Sequence, residues 1–152
     1  MNLTNAVTAD ANLTNISTAR REMRPKVLIV DDDVAITQQL FWALCDEFEV
    51  LTANSLSSAV RRAIVYNPDV AILDLHLPPT PGTPDTGLRI LEYIRAHIPA
   101  SKIFVVSSAA SIEVKKDCMA RGADGFLSKP LDIEQLLSVI RRASIARRLE
   151  AA

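Results

Sequence analysis

Asp74 ends a short apolar run that begins at Val70, and prolines from Pro78 onward stop the pattern. A run of this length after the turn signal Asn67-Pro68-Asp69 suits a strand buried on both faces of a parallel sheet. A carboxylate at the C-terminal end of such a strand faces the crevice where open α/β sheets bind ligands, and burying it unpaired would cost several kcal/mol. It calls for a cation, and two kinds are within reach of the pattern. Asp31 and Asp32 follow another apolar run, Lys26–Val30, and could hold a metal with Asp74; Lys129 follows a third, Gly125–Ser128, and could supply an ammonium.

The elements that must bring these groups together are legible from Lys26 onward, where strand-length apolar runs alternate with helix-length amphipathic stretches. After the first strand, Asp33 can cap a helix over 34–47 with Ile36, Leu40 and Leu44 on one face. Residues 48–53 read as a strand, and Ser55 starts a second helix that Asn67-Pro68 ends before the Asp74 strand. Leu88, Leu91, Ile94 and Ile98 recur at helical spacing from Gly87 to Pro99, and 102–107 reads as the fourth strand. Ser111 can cap a fourth helix to Arg121, with Gly122 as its left-handed stop. After the fifth strand, Asp132 caps a last helix carrying Ile133, Leu136, Leu137 and Ile140, which continues through the basic stretch to Leu149. Five strands alternating with five helices predict an α/β fold with a doubly wound parallel sheet.

Composition narrows what such a fold can do. At 152 residues the chain has the length of one domain, able to bury roughly 70% of its unfolded surface. With 17 basic against 18 acidic side chains, no global field calls for nucleic acid or an acidic membrane. No apolar run is long enough to span a bilayer. Cys45 and Cys118 lie in separate apolar helical patterns and read as small buried hydrophobes in a reducing, cytoplasmic compartment. Residues 1–23, rich in Asn, Thr and Ala, read as a flexible leader before a domain over 24–143, with 144–152 extending the last helix. The leader lacks the basic start and apolar core of a secretory signal, so the sequons at Asn2, Asn12 and Asn15 read as chance matches.

A phosphate-cradling loop needs clustered glycines after the first strand, but the chain has only four, Gly82, Gly87, Gly122 and Gly125. Asp31-Asp32-Asp33 stands there instead and repels phosphate unless a cation intervenes. A haloacid-dehalogenase-type phosphatase would place a second Asp two residues after its nucleophile, where this chain has His76.

Over residues 24–143 the motifs resemble the receiver domain of two-component response regulators. In that family an acidic pair ends the first strand, the phosphoacceptor aspartate the third and a Thr or Ser the fourth, and Lys-Pro follows the fifth. Here these are Asp31 with Asp32, Asp74, Ser107, and Lys129 with Pro130. The resemblance implies a flavodoxin-like (βα)5 fold with strand order 2-1-3-4-5. It further implies that Asp74 accepts a phosphoryl group from the phosphohistidine of a histidine kinase or phosphotransfer protein. Mg2+ would be held by Asp32 and Asp74 directly, by Asp31 through water and by the backbone carbonyl of His76. Three clustered carboxylates need such a divalent ion to stay ionised together. Lys129 would absorb charge on the phosphoryl oxygens, and its peptide bond to Pro130 is a candidate for cis.

The same resemblance makes Ser107 and Phe126 a coupled switch that remodels the face formed by the fourth helix, fifth strand and fifth helix, where an output domain or partner protein would dock. Phe126 stands where Tyr is common and cannot hydrogen-bond. Such a chain catalyses only its own phosphorylation and dephosphorylation. Its last helix is left with two occupants, an output domain or a second copy in a homodimer, and carries no clean heptad. A pseudo-receiver, binding partners by the same face without being phosphorylated, is the competing class. A metal-dependent phosphatase acting on small phosphoesters is a third.

Several residues also have plainer roles. The His76 side chain reads as loop-facing, Asp33 and Asp85 as cap and loop residues, and Arg141-Arg142 and Arg147-Arg148 as a solvated face suited to a helix C-terminus. The family's glycine, eight positions after the acceptor, corresponds to Gly82, yet the third helix pattern begins at Gly87, so the loop is about five residues longer. With Pro78, Pro79, Pro81 and Pro84 it should be stiff. The resemblance further implies that His76 and Ala109, two positions after the acceptor and the switch hydroxyl, flank the path of hydrolytic water.

Overall fold

The computed structural model describes residues 15–16, 23–80, 83–108 and 111–151. From Lys26 on, the elements are β1 (Lys26–Val30), α1 (Val34–Leu44), β2 (Glu49–Ala53), α2 (Leu56–Tyr66), β3 (Val70–Asp74), α3 (Asp85–His97), β4 (Lys102–Ser107), α4 (Ile112–Ala120), β5 (Gly125–Ser128) and α5 (Ile133–Ala151). The strands pair in parallel in the order β2-β1-β3-β4-β5. This is the five-stranded doubly wound sheet that the alternation predicts.

Period-two alternation sorts the apolar side chains of the central strands between two helical layers. Val27 and Ile29 pack with Leu40 and Leu44 of α1 and with Leu136 and Ile140 of α5. Leu28 and Val30 point the other way, into a core with Ala59 and Ala63 of α2, Leu91 and Ile94 of α3 and Cys118 of α4. Because both faces are covered, β3 is buried along its whole length, acid included.

Local chemistry sets the helix ends. Asp33 accepts from the Ala35 and Ile36 N–H groups, Ser55 and Ser58 cap α2 reciprocally, Ser111 accepts from Val114 N–H, and Asp132 accepts from Glu134 and Gln135 N–H. Asn67 (φ 49°) and Gly122 (φ 111°) take the left-handed conformation after α2 and α4.

Several boundaries differ from those expected, among them the last helix, which runs to Ala151 rather than Leu149. The first helix closes at Leu44 rather than Glu47, because the Glu47 and Phe48 N–H groups both turn back to the Leu44 carbonyl and Phe48 is buried. In consequence β2 starts at Glu49, one residue later than expected. The third helix starts at Asp85 rather than Gly87; Pro84, its N-cap, makes no side-chain capping bond, and Asp85 suits the positive end of the helix. The fourth ends at Ala120, with Arg121 as its cap. Cys118 is buried as expected, but Cys45 is only half-buried and its Sγ lies 3.7 Å from the Trp42 carbonyl. The expected leader over 1–23 falls almost wholly outside the described residues. Among the described residues no helix is long and apolar enough to cross a membrane.

Candidate functional site

Parallel pairing brings the C-terminal ends of β1, β3 and β5 to one edge, and that edge collects the predicted charges. Carboxylate oxygens of Asp31, Asp32 and Asp74 lie within 4.8 Å of one another. Asp31 and Asp74 are buried, whereas Asp32 is exposed. Lys129 reaches in from the end of β5, its Nζ 3.0 Å from Asp31 Oδ2 and 3.3 Å from Asp74 Oδ2. The second oxygen of each buried acid accepts a backbone N–H, Asp33 to Asp31 Oδ1 at 2.9 Å and His76 to Asp74 Oδ1 at 3.2 Å. Both acids are thereby fixed in orientation by the chain that follows them.

The backbone also places Lys129. Its N–H donates to the Ser107 carbonyl at 3.1 Å, which ties the end of β5 to the end of β4, and its bond to Pro130 is cis, as the sequence suggests. Burial pushes the Asp74 carboxyl above its ordinary value; the His76 N–H opposes that, the Asp31 charge adds to it, and Lys129 opposes it. Burial works against the Lys129 ammonium, but Asp31 and Asp74 outweigh it and hold that amine above its usual range.

Lys129 balances one of three carboxylate charges, and the charge left over matches a divalent ion. Hard oxygen donors at two strand ends, one of them solvent-facing, suit Mg2+, which keeps several of its waters. The donor set therefore fits the expected cofactor.

Ser107 is buried at the end of β4, and its Oγ lies 3.4 Å from His76 Nδ1; Ser108, the neighbouring hydroxyl, is exposed. The His76 side chain thus lies against the Ser107 hydroxyl rather than facing only the loop. Phe126 is half-buried against the α2–α3–α4 core, with Lys115 Nζ 5.3 Å from its ring centroid. Ala109, Pro81 and Gly82 lie outside the described residues.

Two features of the site have no counterpart in the sequence reading. Gly87 packs against the chain that leaves β3: a Cβ there would sit 2.5 Å from Leu75 Cα and 2.8 Å from the Asp74 carbonyl oxygen. A glycine two residues into a helix carries no periodic signal, but its position after a long loop could have marked a close approach. Lys115 over Phe126 depends on how α4 lies against β5, and nothing local in either segment announces it.

The family model for the response regulator receiver domain matches residues 27–141. The transcriptional regulatory protein KdpE of Staphylococcus aureus is 33% identical over 120 residues, covering 78% of this chain and 49% of KdpE. TcrX of Mycobacterium tuberculosis, a probable transcriptional regulatory protein, is 30% identical over 80% of this chain and 50% of its own length. The chain thus spans about half the length of these curated relatives. Among solved structures, a CheY-like receiver domain from Methanospirillum hungatei superposes with a TM-score of 0.76 at 26% identity, over 84% of this chain and 98% of that one. The chemotaxis protein CheY4 of Vibrio cholerae gives a TM-score of 0.71 at 32% identity, over 79% and 98%. The chain belongs to the receiver-domain family of two-component response regulators.

Proposed function

We propose that this chain is a phosphoaccepting receiver whose Asp74 takes a phosphoryl group from the phosphohistidine of a histidine kinase or phosphotransfer protein. The observation that carries the reading is the cluster of three carboxylates at the C-terminal edge of the sheet, two of them, Asp31 and Asp74, paired with one ammonium. Asp31, Asp32, Asp74 and the His76 carbonyl would hold Mg2+, which supplies positive charge beside the nucleophile and the transferring group. An Asp74 carboxylate oxygen attacks phosphorus in line, the P–N bond to the donor imidazole breaks, and the imidazole leaves with the bonding pair. Lys129, already within reach of Asp74, stabilises charge on the equatorial oxygens. The product is an acyl phosphate on Asp74.

Ser107 would then donate its hydroxyl to the new phosphoryl group, exchanging its contact with His76 for a charged acceptor. Charged hydrogen bonds are worth roughly 1.5–3 kcal/mol each, so two or three approach the ~5.5 kcal/mol that inverts a 1:99 population. Phe126 would follow Ser107 and alter the α4–β5–α5 face, the proposed docking surface for an output domain or partner in the cytoplasm. The test is intact-mass measurement after incubation with acetyl phosphate and Mg2+. One added phosphoryl group is expected, lost in Asp74→Asn; undiminished labelling of that variant would remove the claim.

A further inference from the structure

We propose that the cavity at the opposite, N-terminal edge of the sheet binds a small phosphorylated ligand, held by Arg24, Lys26, Arg147 and Arg148. This cavity of about 410 Å3 is lined by those four cations together with Tyr66 and Asp69. Its volume is within the range of small-molecule sites, and it opens broadly to solvent. A chain of formal charge −1 has here gathered four positive side chains around one acid.

None of the four cations forms an ion pair among the described residues. Asp69 is engaged elsewhere, its Oδ2 accepting the Lys26 backbone N–H at 2.8 Å. Arg24 and Arg148 use part of their guanidinium groups on the carbonyls of Cys45 and Met23. Arg147 Nε is buried and has no hydrogen-bond partner. Clustered like charges repel, and a buried donor left unpaired costs free energy. A ligand with several anionic oxygens relieves both, and the planar fork of Arg matches phosphate geometry.

Attraction to the negative end of α5 accounts for Arg147 and Arg148 on their own. It does not account for Arg24 and Lys26, which come from the start of the chain's first strand to face them. All four lining cations, Arg24, Lys26, Arg147 and Arg148, fall outside residues 27–141, the range matched by the family model. The cations of the cavity thus lie beyond the matched range while its walls at Tyr66 and Asp69 belong to it, and the cavity does not depend on phosphoryl acceptance at Asp74.

The experiment is an amide NMR titration of the full chain with pyrophosphate and with ADP, in EDTA so that the carboxylate cluster holds no metal. Saturable shifts at Lys26, at Tyr66 to Asp69 and at Arg147-Arg148 are expected with both probes. Arg147→Ala and Lys26→Gln should each weaken pyrophosphate binding about tenfold, with amide spectra otherwise unchanged. Absence of saturation, or an affinity in both variants equal to that of the parent, would overturn the proposal. Binding confined to a DNA duplex or to phosphatidylserine vesicles, with none to pyrophosphate or ADP, would also overturn it.

Discussion

Lys129 lies closer to Asp31 than to the proposed acceptor: its ammonium is 3.0 Å from Asp31 Oδ2 and 3.3 Å from Asp74 Oδ2. The cation therefore bridges two buried acids that would otherwise repel each other. Removing one partner of a buried pair costs about 3–5 kcal/mol, and the partial exposure of Lys129 lowers the expected loss in Lys129→Ala to about 2 kcal/mol. Urea unfolding in EDTA measures it, and Mg2+ should restore much of the loss. A variant as stable as the parent in EDTA would show that the bridge contributes nothing.

The raised Asp74 carboxyl predicts a pH dependence of definite sign. Burial is the leading cause, so the native state keeps this proton to higher pH than the unfolded chain, whose value is near 3.8. Where the native state binds more protons, stability falls as pH rises, from that value through the raised native one, and then levels off. The difference in unfolding free energy between the parent and Asp74→Asn, followed against pH in EDTA, isolates this contribution from other carboxylates. Mg2+ should abolish the slope, because a bound cation favours the ionised acid. Parallel curves for the two proteins in EDTA would contradict the assignment.

Gly87 leaves no room for a side chain against Leu75 and the Asp74 carbonyl, and the obstacle is backbone rather than a flexible side chain. Gly87→Ala must displace either the start of α3 or the chain leaving β3. Overpacking of this kind costs about 1–3 kcal/mol, and the shift should also slow phosphorylation of Asp74. Thermal unfolding and the labelling rate check both effects. A stable variant labelled at the parental rate would mean that the contact positions nothing.

The sequence revealed the sheet and its charged edge because both rest on patterns that are local in the chain. Val70 to Leu73 is apolar throughout since β3 is covered on two faces, and each acid or lysine of the site sits at the end of such a run. Strand order was not available from periodicity and came from the resemblance. The contacts that escaped the reading are between elements distant in sequence. Examples are the His76 ring against Ser107, Lys115 against Phe126, and the facing of Arg24 by Arg147 across one cavity. The early closure of α1 escaped for a different reason, since its last turn keeps helix-forming residues and yields to the burial of Phe48.

Lys115 lies over the Phe126 ring, and a cation–π contact at such a site is worth about 0.5–1 kcal/mol. If Phe126 moves when the site is occupied, beryllofluoride with Mg2+ should shift amide resonances along α4 and β5 as well as beside Asp74. Lys115→Ala should then move the Phe126 resonance part of the way before any beryllofluoride is added, as a population shift of that size requires. Changes confined to the carboxylate cluster would favour a module that binds partners without being switched.

The loop between β3 and α3 bears on how long a phosphoryl group would last. Thr80 N–H donates to the Leu77 carbonyl at 3.2 Å, Thr83 N–H to the Thr80 carbonyl at 3.1 Å, and the Thr80 and Thr86 hydroxyls lie 3.0 Å apart. These bonds and the prolines around them restrict the loop beside Asp74. His76 is half-buried and set against Ser107, and by resemblance to the family the side chain two positions after the acceptor flanks the path of water to an acyl phosphate. Shielding is the expected effect, so His76→Ala should speed the loss of phosphate while leaving acceptance by Asp74 largely intact. Deleting residues 79–83 should act in the same direction. The measurement is decay of the phosphorylated protein after the donor is removed. Slower decay in both variants would mean that the imidazole and loop orient water for hydrolysis, and unchanged decay would assign the loop to a partner instead.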